Sequence, residues 1–451
     1  MLKKLLNYPK IALLNTKNND FFGYKLLLDQ EKIPYTITSS VKGKWDLIIL
    51  PVDHALPIKD MLNFVKSGGA IFASYDDDSN NGLAITDKVN TFQPFGSGVI
   101  YYHDYPLGEE IIKTEFYARS AKRNIYSQLI SHSNHNIIHN EKRGIRMDFK
   151  HILYKLIGPL TQIWYWPNSY QACFCQRIDV DFPLKMAFDK KRIIQKMVDL
   201  INVYGDINFS LFLNHTFTNQ NIRIKNILKN TKNIEFQSHG CTKIIKHRDY
   251  CYSLDNLSDS EITDMLRQSV INEKTKIFAP PCEHVNERVL ETCENLGIKF
   301  ISAGGMAKDD IPGHCFFYGK KYHIMNIPTS EKEFAPTGFY NNEFYQDGFD
   351  EAIQDNSLFC IYFHPYILLQ KKQKEILTTF FDYILAEKSK KNIWFPFMSE
   401  LAIWWYNRDR VDIKDGAISY RDNDTKTFFS QNKNLKLSII KWSPGKITRL
   451  T

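Results

Sequence analysis

Residues 1–105 alternate short apolar runs with amphipathic stretches. "KIALLN" (10–15) is short and apolar, so it reads as a strand. "FFGYKLLLDQEK" (21–32) spaces its apolar residues as a helix does. "WDLIILP" (45–51) is apolar without alternation, as a strand covered on both faces requires. "IKDMLNFVKSGG" (58–69) predicts a helix closed by Gly68-Gly69, and "AIFASYD" follows as a strand. Strands and helices in this order predict a parallel α/β layer domain. With the stretch that follows, it is expected to fill residues 1–160. The aromatic segment "QIWYWPNSYQ" (162–171) reads as the junction to what comes next.

From residue 172 a longer alternation begins. Strands are expected at 172–179, 207–213, 234–238, 276–280, 298–302, 323–328, 358–363 and 393–397. Helical patterns lie between several of them, at 187–204, 221–230, 258–272, 286–296 and 373–388. Ser258 and Glu261 form a capping box before "ITDMLRQSV", and Gly297 ends the pattern "VLETCENL". Seven or eight βα units argue for a β/α barrel, complete or distorted, over residues 161–408. The tail, 409–451, changes character: "AISYRD", "TKTFFSQ" and "LKLSIIKW" read as short strands of a small β appendage.

Composition adjusts this picture only slightly. A chain of 451 residues exceeds one ordinary domain, and 43% hydrophobic residues supply a core for each part. The balance of 58 Lys and Arg against 50 Asp and Glu, a net +8, is a mild bias over this length. No dense lysine-arginine block points to nucleic acid. No run of ~18 apolar residues predicts a membrane span. The N-terminus "MLKKLLNYPKIALL" is interrupted by Asn7, Pro9 and Lys10 and does not read as a secretion signal. The eight scattered cysteines read as buried thiols, and the expected compartment is the cytoplasm.

The candidate chemistry lies where apolar strands stop. In a barrel of parallel strands, function gathers at the strand C-terminal ends. The first strand of the second alternation ends in Asp179-Val-Asp181, the second in Asn214-His215 and the third in Ser238-His239-Gly240. The fourth ends in Pro280-Pro281 and the seventh in His364-Pro365. Carboxylates and imidazoles on one rim suit a divalent metal with an acid and a base beside it. Asp179 and Asp181 lie two apart, on one strand face, where a cation would offset their repulsion.

The order and placement of "RIDVDFP", "SHGCTK", "IFAPPCEH" and "CIYFHP" resemble the NodB-type polysaccharide deacetylases of carbohydrate esterase family 4, over about residues 164–405. That resemblance implies Asp179 as general base, His364 as general acid, and Asp181 and His239 as ligands of zinc or a similar divalent metal. It implies removal of an acetyl group from an acetylated carbohydrate by metal-assisted attack of water. Lys243 stands where a second ligand histidine belongs, and a lysine amine with a pKa near ~10.4 is normally protonated and cannot ligate. His247 or His215 is then the third ligand, or Asp181 and His239 hold the metal weakly, or the Lys243 ammonium takes the metal's electrostatic place. Ala279 replaces the arginine of the third motif. Lys243, Pro281 and Glu283 are expected to face the substrate. The alternative is a catalytically degenerate barrel that binds a glycan or a partner without turnover. The N-terminal stretch "FVKSGGAIFAS" makes residues 1–105 resemble flavodoxin-like, doubly wound glutamine-amidotransferase domains. Those use a nucleophilic cysteine, and this stretch has none.

Overall fold

The computed structural model describes residues 8–54, 56–74, 90–103, 106–108, 135–180, 190–214, 226–228, 231–240, 257–269, 277–281, 285–303, 311–317, 320–329, 341–414, 417–432, 434–444 and 446–450. Two compact units divide the chain. The first combines Met1–Glu115, Asn140–Ser169 and Tyr406–Thr451, and the second combines Phe116–His139 with Tyr170–Trp405.

In the first unit, strands β1 (Ile11–Leu14), β2 (Tyr35–Thr38), β3 (Leu47–Leu50), β4 (Ala70–Ser74), β5 (Phe92–Phe95) and β6 (Gly98–His103) make one sheet. Its order is β2-β1-β3-β4-β6-β5, parallel except for β5. All of β1 and β3 is buried, as their unbroken apolar runs predict. Helix α1 (Asn19–Glu31) starts where the Asn18 side chain accepts the Phe21 N–H at 2.9 Å, and α2 (Ile58–Lys66) follows β3. After α3 (His135–Ile157), strand β7 (Leu160–Ile163) enters the core of this unit, followed by the buried Trp164, Tyr165 and Trp166. The aromatic segment expected as a junction is thus mostly core, and the division between units falls near its end, after Ser169.

The second unit holds β8 (Ala172–Val180), β9 (Phe209–Leu213), β10 (Ile234–Ser238), β11 (Ile277–Phe278), β12 (Phe300–Ile301), β13 (Gly313–Phe317), β14 (Lys320–Asn326), β15 (Leu358–Phe363) and β16 (Ile393–Trp394). They form an open, half-barrel sheet in the order β13-β14-β12-β11-β10-β9-β8-β15, with β16 on the start of β8. Among the described strands of this sheet, β13 alone runs antiparallel. The alternation expected from sequence is present, but the described sheet does not close into a full barrel. Helices α4 (Lys190–Val203), α5 (Asp259–Ser269), α6 (Glu287–Asn295), α7 (Asn342–Gln354), α8 (Lys371–Lys390) and α9 (Met398–Asp409) accompany it. The capping box is formed: the Ser258 N–H donates to Glu261 Oε2 at 2.7 Å. Gly297, just past α6, has φ +68°, where a side chain would be strained.

Strand β8 lies between β9 and the edge strand β15 and is buried along its whole length. Its alternate residues Ala172, Phe174, Ile178 and Val180 join an apolar core with Phe349, Phe380 and Phe395. The other face therefore carries Cys173, Cys175, Arg177 and Asp179. The five described cysteines, at 173, 175, 293, 315 and 360, are free and buried.

The chain then returns to the first unit. There β17 (Val411–Lys414), β18 (Ala417–Tyr420), α10 (Asn423–Gln431), β19 (Ile439–Ser443) and β20 (Lys446–Arg449) form. The tail is built into this unit, because β19 pairs antiparallel with β7. "TKTFFSQ", expected as a strand, is the helix α10. Asp422 caps it by accepting the Thr425 N–H at 2.7 Å, and that local bond outweighs the β preference of threonine and phenylalanine.

A buried charge cluster ties the three segments of the first unit together. Glu31 takes the Arg146 guanidinium at 3.0 Å and the Lys150 ammonium at 2.9 Å. The Tyr165 hydroxyl donates to Glu31 and accepts from Arg146 at 2.8 Å and from Lys150 at 2.7 Å. Arg408 lies 5.3 Å from the Tyr165 ring centre and donates to the carbonyls of Trp164 and Ile163 at 2.9 and 2.8 Å. No helix among the described residues is long and apolar enough to cross a membrane.

Candidate active site

Strand register brings the sequence-predicted residues to one level. Asp179 pairs with Phe212 near the C-terminal end of β8. Phe363 of β15 pairs with Ile178, so the next residue, His364, comes level with Asp179. Leu213 pairs with Ser238, and the following N–H, of His239, donates to the Leu213 carbonyl at 3.0 Å. Ser238 in turn pairs with Phe278, which Ala279 follows, and the Ser302 N–H donates to the Phe278 carbonyl at 2.9 Å. Asp179, His239, Ala279, Ser302 and His364 thus share the rim that parallel strands present at their C-terminal ends.

Asp179 is 2% exposed, and its charge is answered by its own strand. Arg177, two residues earlier and on the same face, donates Nε to Oδ1 at 2.8 Å and Nη2 to Oδ2 at 2.6 Å. Its remaining nitrogen, Nη1, donates to the Ser302 carbonyl at 2.6 Å and approaches Ser302 Oγ at 3.3 Å. The guanidinium carbon stands 4.7 Å from the Tyr362 ring centre and 5.8 Å from that of Phe212. The result is a fork contacted by residues of β8, β9 and β15 and by Ser302 just past β12.

His239 is buried as well, and a bond to Ala279 orients its ring. Nδ1 lies 3.0 Å from the Ala279 carbonyl, an acceptor only, so Nδ1 carries the hydrogen in the neutral ring. Nε2 lies 3.9 Å from Asp179 Oδ2. That separation is too long for a hydrogen bond. Of the groups expected to hold a divalent metal, the described residues include His239 alone, since Asp181 lies outside them.

His364 is half-buried and stacks on Tyr366 with ring centres 5.2 Å apart and planes at 20°. Pro281 is buried just past β11. Asp181, His215, Lys243, His247 and Glu283 lie outside the described residues. Among the described residues, no group of three or more His, Cys, Asp and Glu side chains is placed to hold a metal. Two residues of the rim escaped sequence reasoning. Arg177 signals itself only by standing in phase with Asp179 in an otherwise apolar strand, and Ser302 carries no signal at all.

No family model matches the chain, and no curated protein matches it. Solved structures do. A structure named as a polysaccharide deacetylase from Mycobacterium smegmatis is 11% identical, at a TM-score of 0.41, over 53% of this chain and 91% of its own. Puue allantoinase is 14% identical, at a TM-score of 0.40, over 54% of this chain and 92% of its own. Agd3, a carbohydrate deacetylase, is 8% identical, at a TM-score of 0.39, over 89% of this chain and 88% of its own.

Proposed function

We propose that the second unit is a hydrolase that removes an acetyl group from an acetylated carbohydrate. The observation that carries this reading is Asp179, held by Arg177 through both carboxylate oxygens and 3.9 Å from His239 Nε2, with His364 level with it on the same strand-end rim. Asp179 keeps a free lone pair on each oxygen beyond those that Arg177 occupies. It is therefore able to take the proton of an attacking water. His364 hands a proton to the departing sugar nitrogen or oxygen. The bond from water oxygen to the acetyl carbon forms, and the bond from that carbon to the sugar breaks. Asp181 and His239 would hold a divalent metal, which when bound acidifies water and polarises the acetyl carbonyl. The first unit, on this reading, is a flavodoxin-like layer without amidotransferase chemistry, since its N-terminal stretch lacks a cysteine.

The Arg177–Asp179 pair also favours a second reading. A carboxylate already neutralised by guanidinium attracts a cation less, so the rim would bind a glycan without turnover. Elemental analysis of the purified full chain separates the two, together with acetate release from an N-acetylglucosamine oligomer in added zinc or cobalt. About one metal per chain with acetate release is expected. A metal-free protein that stays inactive with both ions overturns the enzyme reading.

A further inference from the structure

We infer that Arg177 is the positioning residue for Asp179, an inference that rests on the hydrolytic reading above. Among the described residues, Arg177 is the cation that bonds Asp179, and it does so through both carboxylate oxygens at once. A bidentate fork fixes the plane of the carboxylate as well as its place. The fork is itself packed in. Its third nitrogen is tied to Ser302, one face is covered by Tyr362, Phe212 lies beyond, and none of the guanidinium side chain reaches water. Asp179 is thereby aimed with Oδ2 toward His239. Ala279, across the rim, contributes a methyl side chain and its carbonyl, and the carbonyl is already engaged by His239. Orientation of the base thus comes from its own strand, two residues upstream.

A lysine at 177 has one point charge where the site needs a planar pair of donors. Arg177→Lys is expected to lower kcat toward 4-nitrophenyl acetate by about a hundredfold while KM moves little, as misplacement of a reacting group does. Arg177→Ala is expected to lose turnover and to regain at least about tenfold in millimolar guanidinium, but not in methylammonium. A folded Arg177→Ala protein with near wild-type kcat overturns the inference. So does a folded one that guanidinium fails to rescue.

A second measurement needs no activity. Guanidinium should raise the thermal midpoint of Arg177→Ala saturably, and the rise should vanish in Arg177→Ala/Asp179→Asn. Absence of that rise overturns the bond to Asp179 as the source of the effect. A rise without return of turnover, where the wild type is active, assigns Arg177 to architecture alone. A wild type that hydrolyses no acetyl probe sinks the hydrolase reading, and with it the positioning role.

Discussion

A carboxylate closed off from water needs an opposite charge beside it, and the two units supply one differently. Among the described residues, Asp179 bonds one guanidinium, and Glu31 bonds two cations and a phenol. Burial pushes the Glu31 carboxyl up, but Lys150, Arg146 and the Tyr165 hydroxyl together outweigh it and bring it from 4.5 to about 2. At ~1.4 kcal/mol per unit, the folded state gains about 3 kcal/mol from this group. Because the folded value lies below the unfolded one, that stability is complete above pH 4.5 and is lost as pH falls toward 2. Urea unfolding of the first unit followed across that range should show the loss. Glu31→Gln should remove the dependence and cost about 3–5 kcal/mol at neutral pH, since it leaves Arg146 and Lys150 buried without their anion. Neither charge cluster was legible in the sequence. Glu31 reads as the exposed face of an amphipathic helix, and its partners lie in segments far along the chain. Asp179, His239 and His364 were legible because each stands where an apolar run stops. Arg177 was not, because a cation within such a run leaves no local mark beyond its phase.

At the scale of elements, pattern and capping predict most of what forms. The strand at 172–180 and the helix after Ser258 stand where the sequence puts them, for separate reasons. The strand's reason is packing. Phe174 is buried and meets Phe349, Phe380 and Phe395 with ring centres 6.0, 6.3 and 5.2 Å away. Phe174→Ala should cost about 3–5 kcal/mol in denaturant unfolding of the second unit. The helix's reason is its cap, so Ser258→Ala should cost about 1 kcal/mol by the same measurement. Elements were misread where a single side-chain bond decided the outcome, as at Asp422 before α10. They were also missed where strands such as β2 and β20 lack an apolar run, β2 being half exposed and β20 exposed throughout.

At the scale of the molecule, connectivity is what sequence periodicity conceals. The expected boundaries followed changes of pattern along the chain, whereas the first unit is assembled from three separated segments. Pairing of β19 with β7 is a long-range event with no local signature. Deleting residues 410–451 removes β19 and the core residues Val411, Ile413 and Ile439, which pack with Ile163. The shortened chain should become protease-sensitive within residues 8–163, while fragments from 170–405 persist. Equal resistance of both regions in the shortened chain would show that the tail contributes little to the first unit.

The placement of Arg408 and β19 also sets a timetable. Synthesis proceeds from the N-terminus at about 5–20 residues per second, and domains tend to fold as they emerge. Residues 170–405 are continuous, so the second unit has most of its chain before the first has all of its own. Until the last strands appear, β7 has no β19 to pair with, and the carbonyls of Ile163 and Trp164 have no guanidinium. The unit that begins first on the ribosome is therefore the one completed last, and a nascent chain halted near residue 405 should carry a protected 170–405 beside a first unit still open to protease.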